Sequence, residues 1–203
     1  MTTTRLSIFP LPGALLFPGM HLPLHIFEPR YRAMVSDAMA RDRRIAMIQP
    51  SGAGDRPSLY SVGCVGRVAE VEALDDGRYN LVLEGLSLFR LIRELEVTTA
   101  FRQIEAELIP NREDETLSLG RRSSLEMESK RFTERHGYAV DWKAVGQLDD
   151  ESLVNGIAQI APFDVAAKQA LLEAPDIETR AELTIQLMQF FGRHDGDDRV
   201  TLQ

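Results

Sequence analysis

Residues 8–32 read IFPLPGALLFPGMHLPLHIFEPRYR, an apolar run punctuated by Pro10, Pro12, Pro18, Pro23 and Pro29 and by Gly13 and Gly19. Proline fixes φ, lacks a donor and pushes the residue before it toward extended conformations, so this spacing forbids a helix and dictates a folded-back, strand-like path. The run stops at a helix start. Pro29 suits a first helical turn, and Tyr31, Met34, Val35, Ala38 and Met39 follow at the spacing of one apolar helical face, which predicts a helix over Pro29–Asp42.

The next residues carry strand signals. Ile45–Gln49 is short and apolar, Tyr60–Ala73 is rich in valine with glycines at positions 63 and 66, and Asp75-Asp76-Gly77 is a hairpin turn before Tyr79–Leu83. Leu86–Glu94 continues as a strand. Across Thr99–Leu108, Ala100, Arg102, Ile104, Ala106 and Leu108 fall on one face and Phe101, Gln103, Glu105 and Glu107 on the other. Gly63, Gly66 and Gly85 suit the bends and bulges by which a small sheet curls, so a closed or half-closed β-barrel with one inserted helix is expected.

Three stretches carry a family resemblance. They are Phe9-Pro10-Leu11 with Leu16-Phe17-Pro18-Gly19 and Leu22-Pro23-Leu24-His25-Ile26-Phe27-Glu28-Pro29-Arg30-Tyr31-Arg32; Gly63-Cys64-Val65-Gly66-Arg67-Val68; and Asp76-Gly77-Arg78-Tyr79-Asn80-Leu81-Val82-Leu83-Glu84-Gly85-Leu86. The set resembles the Lon N-terminal domain family, the substrate-recruiting domain of Lon-type ATP-dependent proteases, and the likeness extends to Glu182. The resemblance implies a PUA-like barrel, with the last stretch as a hairpin ending in an "EGL" turn. It also implies recognition of unfolded or degron-bearing polypeptides, without the ATPase and protease modules of Lon. An apolar surface around Phe17, Met20, Phe27 and Tyr31 is then the expected peptide-binding site, although Phe27 and Tyr31, residue by residue, suit better a role in pinning the first helix onto the barrel.

Charge and periodicity change near Pro110. Residues 1–108 carry 12 Arg, no Lys and 13 acidic residues, whereas residues 109–203 carry 11 basic and 18 acidic residues. Beyond the Glu113-Asp114-Glu115 cluster the signals turn helical. Ser118–His136 holds Leu119, Leu125, Met127 and Phe132 and ends at Gly137 as a C-cap. Asp150 caps a helix presenting Leu153, Ile157 and Ile160 that Pro162 ends; Asp164 starts another with Leu171 and Leu172, stopped by Pro175; and Asp176 caps the last, with Leu183, Leu187, Met188 and Phe191 in one stripe. Those stripes read as bundle core, and Asp195-Gly196-Asp197-Asp198 as a polar tail. The expectation is an α+β chain with a PUA-like β-barrel over residues 1–110 and a helical subdomain over 111–203.

Enzyme signals are absent from the sequence. No P-loop, G-x-S-x-G elbow or H-E-x-x-H motif occurs, and Lys130, Lys143 and Lys168 precede Arg, Ala and Gln rather than Ser or Thr. Ser129-Lys130 is an adjacent pair on a helix, where neighbours point about 100° apart, which does not suit a dyad. The single cysteine, Cys64, lies among alternating apolar residues and reads as packing. His21 and His25, on an extended chain, are roughly 13 Å apart, too far to share a metal, and His136 and His194 lie near helix ends. A net charge of −8 opposes phosphate binding, which leaves a PUA-like RNA binder as the alternative function and an enzyme working in a barrel–helix cleft as a third. No signal peptide and no run of roughly 20 apolar residues is found, so a cytoplasmic protein is expected. The reading is a non-catalytic recognition module with no cofactor or metal, one form of which is an adaptor to a separate ATP-dependent protease.

Overall fold

The computed structural model describes residues 3–112 and 115–194, and the Asp195–Asp198 tail lies outside them. The chain divides into two compact units, Met1–Arg112 and Glu113–Gln203. The first contains β1 (Thr3–Pro10), β2 (His21–Ile26), α1 (Pro29–Ala40), β3 (Arg44–Pro50), β4 (Leu59–Ala73), β5 (Tyr79–Leu95) and β6 (Gln103–Leu108). The second contains α2 (Leu119–His136), α3 (Trp142–Val145), α4 (Asp150–Ile160), α5 (Val165–Glu173) and α6 (Ile177–His194).

The strands form one mixed sheet in the order β2-β5-β4-β3-β1-β6, with a further β5–β6 pairing. Five strands thereby close into a ring, and β2 hangs on the outside of the first half of β5, so the sheet is not a clean barrel. Long strands make this possible. Tyr79–Glu84 of β5 pairs with β2 while Phe89–Leu95 pairs with β6. β1 is shared likewise: Thr3–Ser7 runs antiparallel to β6 and Ile8–Pro10 parallel to β3. Pro23 stands in β2, an edge strand, where a missing N–H breaks no central ladder.

Two buried clusters follow from the two faces of the ring strands. Leu6, Ile8, Ala46, Ile48, Val65, Phe89, Ile104 and Ala106 come from all five ring strands and fill its interior. On the other face, Tyr31, Met34, Val35 and Ala38 of α1 pack with Phe9, Leu16, Met47, Cys64 and Leu83. Covered on both sides, Ile45–Gln49 is buried at every position, which explains why β3 reads as an unbroken apolar run instead of alternating.

The "EGL" element is not a turn. Val65 pairs with Ser87 and Gly66 with Gly85, so Leu86 is an extra residue in a β-bulge and the two expected strands are one, bent in the middle. The hairpin turn is where it was expected, with Gly77 at φ 79° and its N–H donating to the Leu74 carbonyl at 2.8 Å. β6 starts at Gln103, later than expected. Phe101 and Gln103, assigned to the polar face, are buried, and the Gln103 amide is held by Arg5 and by the Thr99 hydroxyl.

In the helical unit, polar side chains cap the helices. Ser118, Asp141, Asp149, Asp164 and Asp176 each accept a backbone N–H from the turn they precede, and Gly137 closes α2 in the left-handed conformation. The cap of α4 is Asp149, one residue before the expected Asp150, whose carboxylate instead accepts the Leu117 N–H and pairs with Arg122. α3 was not expected. The core is set by Leu125, Phe132, Leu153, Val154, Ala158, Leu171, Leu172, Ile177, Ala181 and Met188, while Leu119, Met127 and Ile160 of the expected stripes are exposed. Arg180 of α6, itself buried, ties the helices together by donating to Asn155 Oδ1 on α4 at 2.8 Å and to the Leu171 carbonyl at 3.0 Å.

Candidate functional site

The residues expected at a peptide-binding surface are scattered by burial. Phe17 is 0% exposed and Tyr31 7%, with the Tyr31 ring tilted against that of Phe9, centroids 4.3 Å apart. Both are core side chains, because the backbone that carries Phe17 is drawn against the β5 bulge and Pro29 aims Tyr31 inward from the first turn of α1. Met20 is partly buried against the same core. Phe27 alone of the four is well exposed, at 59%, beside the His25 ring. One apolar side chain does not make a pocket.

A row of polar groups across the β unit is committed to structure. His25 Nδ1 lies 2.7 Å from Asn80 Oδ1 and Arg78 Nη1 lies 3.3 Å from His25 Nε2. A guanidinium only donates, so Nε2 accepts, Nδ1 carries the hydrogen, and Asn80 passes the chain on to Glu72 at 2.9 Å. This row crosses β2, β5 and β4 and fixes their register. No group of three metal-ligating side chains occurs among the described residues. Burial pushes the Cys64 thiol far above its usual range, which removes it as a nucleophile.

A concave apolar surface lies in the helical unit. A cleft of about 450 Å³ is bounded by Phe132 and Thr133 of α2, by Tyr138, Ala139 and Val140 of the following loop, by Trp142 and Val145 of α3, by Leu148, by Leu153, Ile157 and Ile160 of α4, and by Met188 of α6. Its lining contains no charged side chain. Its serine and threonine hydroxyls are already engaged: Ser129 donates to the Leu125 carbonyl at 2.7 Å, Thr133 to the Ser129 carbonyl at 2.9 Å and Ser152 to Asp149 at 2.8 Å. What the cleft offers is apolar area and aromatic rings. Tyr138, Leu148 and Ile160 remain exposed at its edge, and Lys130 Nζ stands 5.4 Å from the centre of the Trp142 ring.

The local sequence explains the cleft. Gly137 ends α2 and Asp141 starts a single-turn helix, so the segment between them returns across α2 without helical cover of its own. The signal available was the run Tyr138-Ala139-Val140 followed by Trp142, Val145 and Leu148, apolar residues too sparse for more than the single turn of α3 yet too many for a solvated loop.

Comparison with known proteins agrees with this architecture. A family model described as the ATP-dependent protease La (LON) substrate-binding domain matches residues 5–189. The chain is 30% identical over 194 residues to Lon protease 2 of Sorangium cellulosum, an alignment covering 89% of this chain and 24% of that one. It is 25% identical over 194 residues to the Lon protease of Escherichia coli K12, covering 91% of this chain and 24% of that one. The chain therefore spans about a quarter of the length of the curated relatives it matches. Among solved structures, the Lon N-terminal domain protein from Xanthomonas campestris superposes with a TM-score of 0.68 at 20% identity, covering 90% of this chain and 98% of that one. The N terminal domain of Mycobacterium avium complex Lon protease gives 0.68 at 18% identity, with 92% and 98% covered, and at such identities both show the fold alone. No helix among the described residues is long and apolar enough to cross a membrane. The chain belongs to the Lon substrate-binding domain family.

Proposed function

We propose that the chain is a non-catalytic recognition module that captures unfolded polypeptide by taking aliphatic and aromatic side chains into the cleft of the helical unit, in the cytoplasm and in the service of an ATP-dependent protease. The observation that carries this reading is the cleft's chemistry: mostly apolar walls with no charged side chain, in which Ser129, Thr133 and Ser152 already have partners, reward an occupant that brings apolar side chains and few hydrogen-bonding groups. Folded proteins bury such side chains, so a site of this kind selects for unfolding. Burial of apolar area is its driving term, and salt affects that term little. Phe27, exposed on the β unit, is proposed as a secondary contact, with Met20 beside the core.

The test is fluorescence anisotropy with a labelled, uncharged Gly/Ser-rich peptide carrying several Leu and Phe residues. Micromolar-class binding that is level between low and moderate salt is expected. Absence of binding overturns the proposal, as does displacement of the peptide by RNA with a log-log salt slope of about −0.7 per phosphate contacted.

A further inference from the structure

Apart from the cleft, we infer that the outer edge of β2 takes up an extended segment of polypeptide as a further strand of the sheet, one with apolar side chains at alternate positions. Closing a sheet removes its edges, and each of the five ring strands has at least two partners, whereas β2 pairs with β5 alone among the described residues. The register shows which backbone groups face outward. Gly85 donates its N–H to the Met20 carbonyl at 2.8 Å, one step before the pairing of His21 with Glu84. Hydrogen-bonded pairs alternate along an antiparallel ladder, so Leu22, Leu24 and Ile26 turn their N–H and C=O toward β5 while Pro23 and His25 turn theirs away. Proline is tolerated at Pro23 for this reason, because the N–H it lacks would point off the sheet. The outer edge therefore presents the Pro23 carbonyl and both backbone groups of His25, at two exposed residues.

The chemistry of this edge selects its occupant. Two carbonyls and an N–H in a row recognise backbone, which an unfolded chain presents whatever its sequence. Side chains add a pattern. Leu22 and Leu24 are half-buried against the cluster that α1 covers, and apolar side chains of a strand lying alongside would complete their burial. The intervening side chains would stand on the opposite face, beside a trough of about 500 Å³ lined in part by Pro23, His25, Glu70, Glu72, Asn80 and Val82, whose carboxylates call for polar neighbours. The occupant is a strand that is apolar on one face and polar on the other. A second copy of the chain fits less well, since two β2 edges brought together would lack the donor of Pro23 twice.

The experiment uses the full chain and a short peptide of alternating Thr and Val with a Lys at each end, and follows amide exchange at His25 by NMR. With the peptide at about ten times its dissociation constant, exchange of the His25 N–H should slow about tenfold. Only every second N–H of an added strand faces its neighbour. Of two further peptides, N-methylated at every Val or at every Thr, one should therefore lose about tenfold or more in affinity and the other keep it. Pro23→Val restores an outward donor and should bind the unmethylated peptide a few-fold tighter. Binding that leaves His25 exchange unchanged overturns the inference, as do equal affinities of the two methylated peptides or an affinity that Pro23→Val does not raise. A dimer of the unaltered chain that protects His25 without peptide overturns it by making a second copy the occupant. The Gly/Ser-rich Leu/Phe peptide lacks the alternation and the strand formers, so it reports on the cleft. Failure of the Thr/Val peptide alone overturns the inference and leaves the cleft reading standing, and failure of both peptides overturns both.

Discussion

Gly85 lies against the carbonyl of Phe17, so close that a Cβ at position 85 would stand far inside van der Waals contact distance of the carbonyl oxygen. The approach is made by two backbone hydrogen bonds, Gly85 N–H to the Met20 carbonyl at 2.8 Å and Gly19 N–H to the Gly85 carbonyl at 3.0 Å. The 15–20 segment is thereby sewn to the β5 bulge, which drives Leu15, Leu16 and Phe17 into the core. Backbone, not a flexible side chain, is what an added methyl would meet. Gly85→Ala should accordingly destabilise the β unit by about 1–3 kcal/mol, the usual range for overpacking a site that cannot relax. Urea unfolding checks it, and an unchanged midpoint would mean the bulge is not a fixed point of the fold.

This contact also shows where the sequence was legible and where it was not. The punctuation that acts on its own neighbours was readable: Pro29 opening α1, Ser118 and Gly137 bounding α2, and Gly77 in its turn are decided within a few residues. Burial of Phe17 is decided by Gly85, far along the chain, and no local pattern distinguishes an apolar loop that lies open from one sewn to a strand. Stripes misled for a similar reason. Ile160 shares the period of Leu153 and Ile157, but it sits in the last turn of α4, past the reach of the neighbouring helices, at 79% exposure. The cleft was hard to read because its walls come from helices far apart in the chain and are completed by the Tyr138-Ala139-Val140 loop, which carries no periodicity.

Those positions give a contrast in the helical unit. Met188, buried where α6 meets α2, should cost about 2–5 kcal/mol on replacement by Ala. Ile160→Ala should change stability by no more than about 0.5 kcal/mol. Chemical denaturation of both variants, followed by far-UV circular dichroism, distinguishes them, and equal losses would contradict the assignment of Ile160 to the open edge of the cleft.

Acid sensitivity of the β unit should centre on Glu94. Arg102 donates to both of its carboxylate oxygens, at 2.9 and 2.7 Å, and Arg56 adds a third donor, so hydrogen bonding from Arg102 above all lowers its pKa from 4.5 to about 2 against the opposing effect of partial burial. A depressed carboxyl pKa stabilises the fold above its unfolded value and loses that contribution as pH falls through the folded one. Thermal stability should therefore decline between pH 4.5 and about 2. Glu94→Gln should lower the melting temperature at neutral pH and flatten that decline, and a variant whose profile parallels the parent chain would assign the acid sensitivity elsewhere.

The central claim is that apolar segments of unfolded chains enter the cleft of the helical unit. Its most direct test is the dissociation constant of the uncharged Leu/Phe peptide for a variant carrying Tyr138→Ser and Ile160→Asp, both at exposed positions and so compatible with folding. The account predicts binding weakened by about tenfold or more, equivalent to roughly 1.4 kcal/mol, with an unchanged unfolding midpoint and with Phe27→Ser having a smaller effect. Unaltered affinity in the cleft variant, together with loss of binding in Phe27→Ser, would contradict it and move the recognition surface to the β unit.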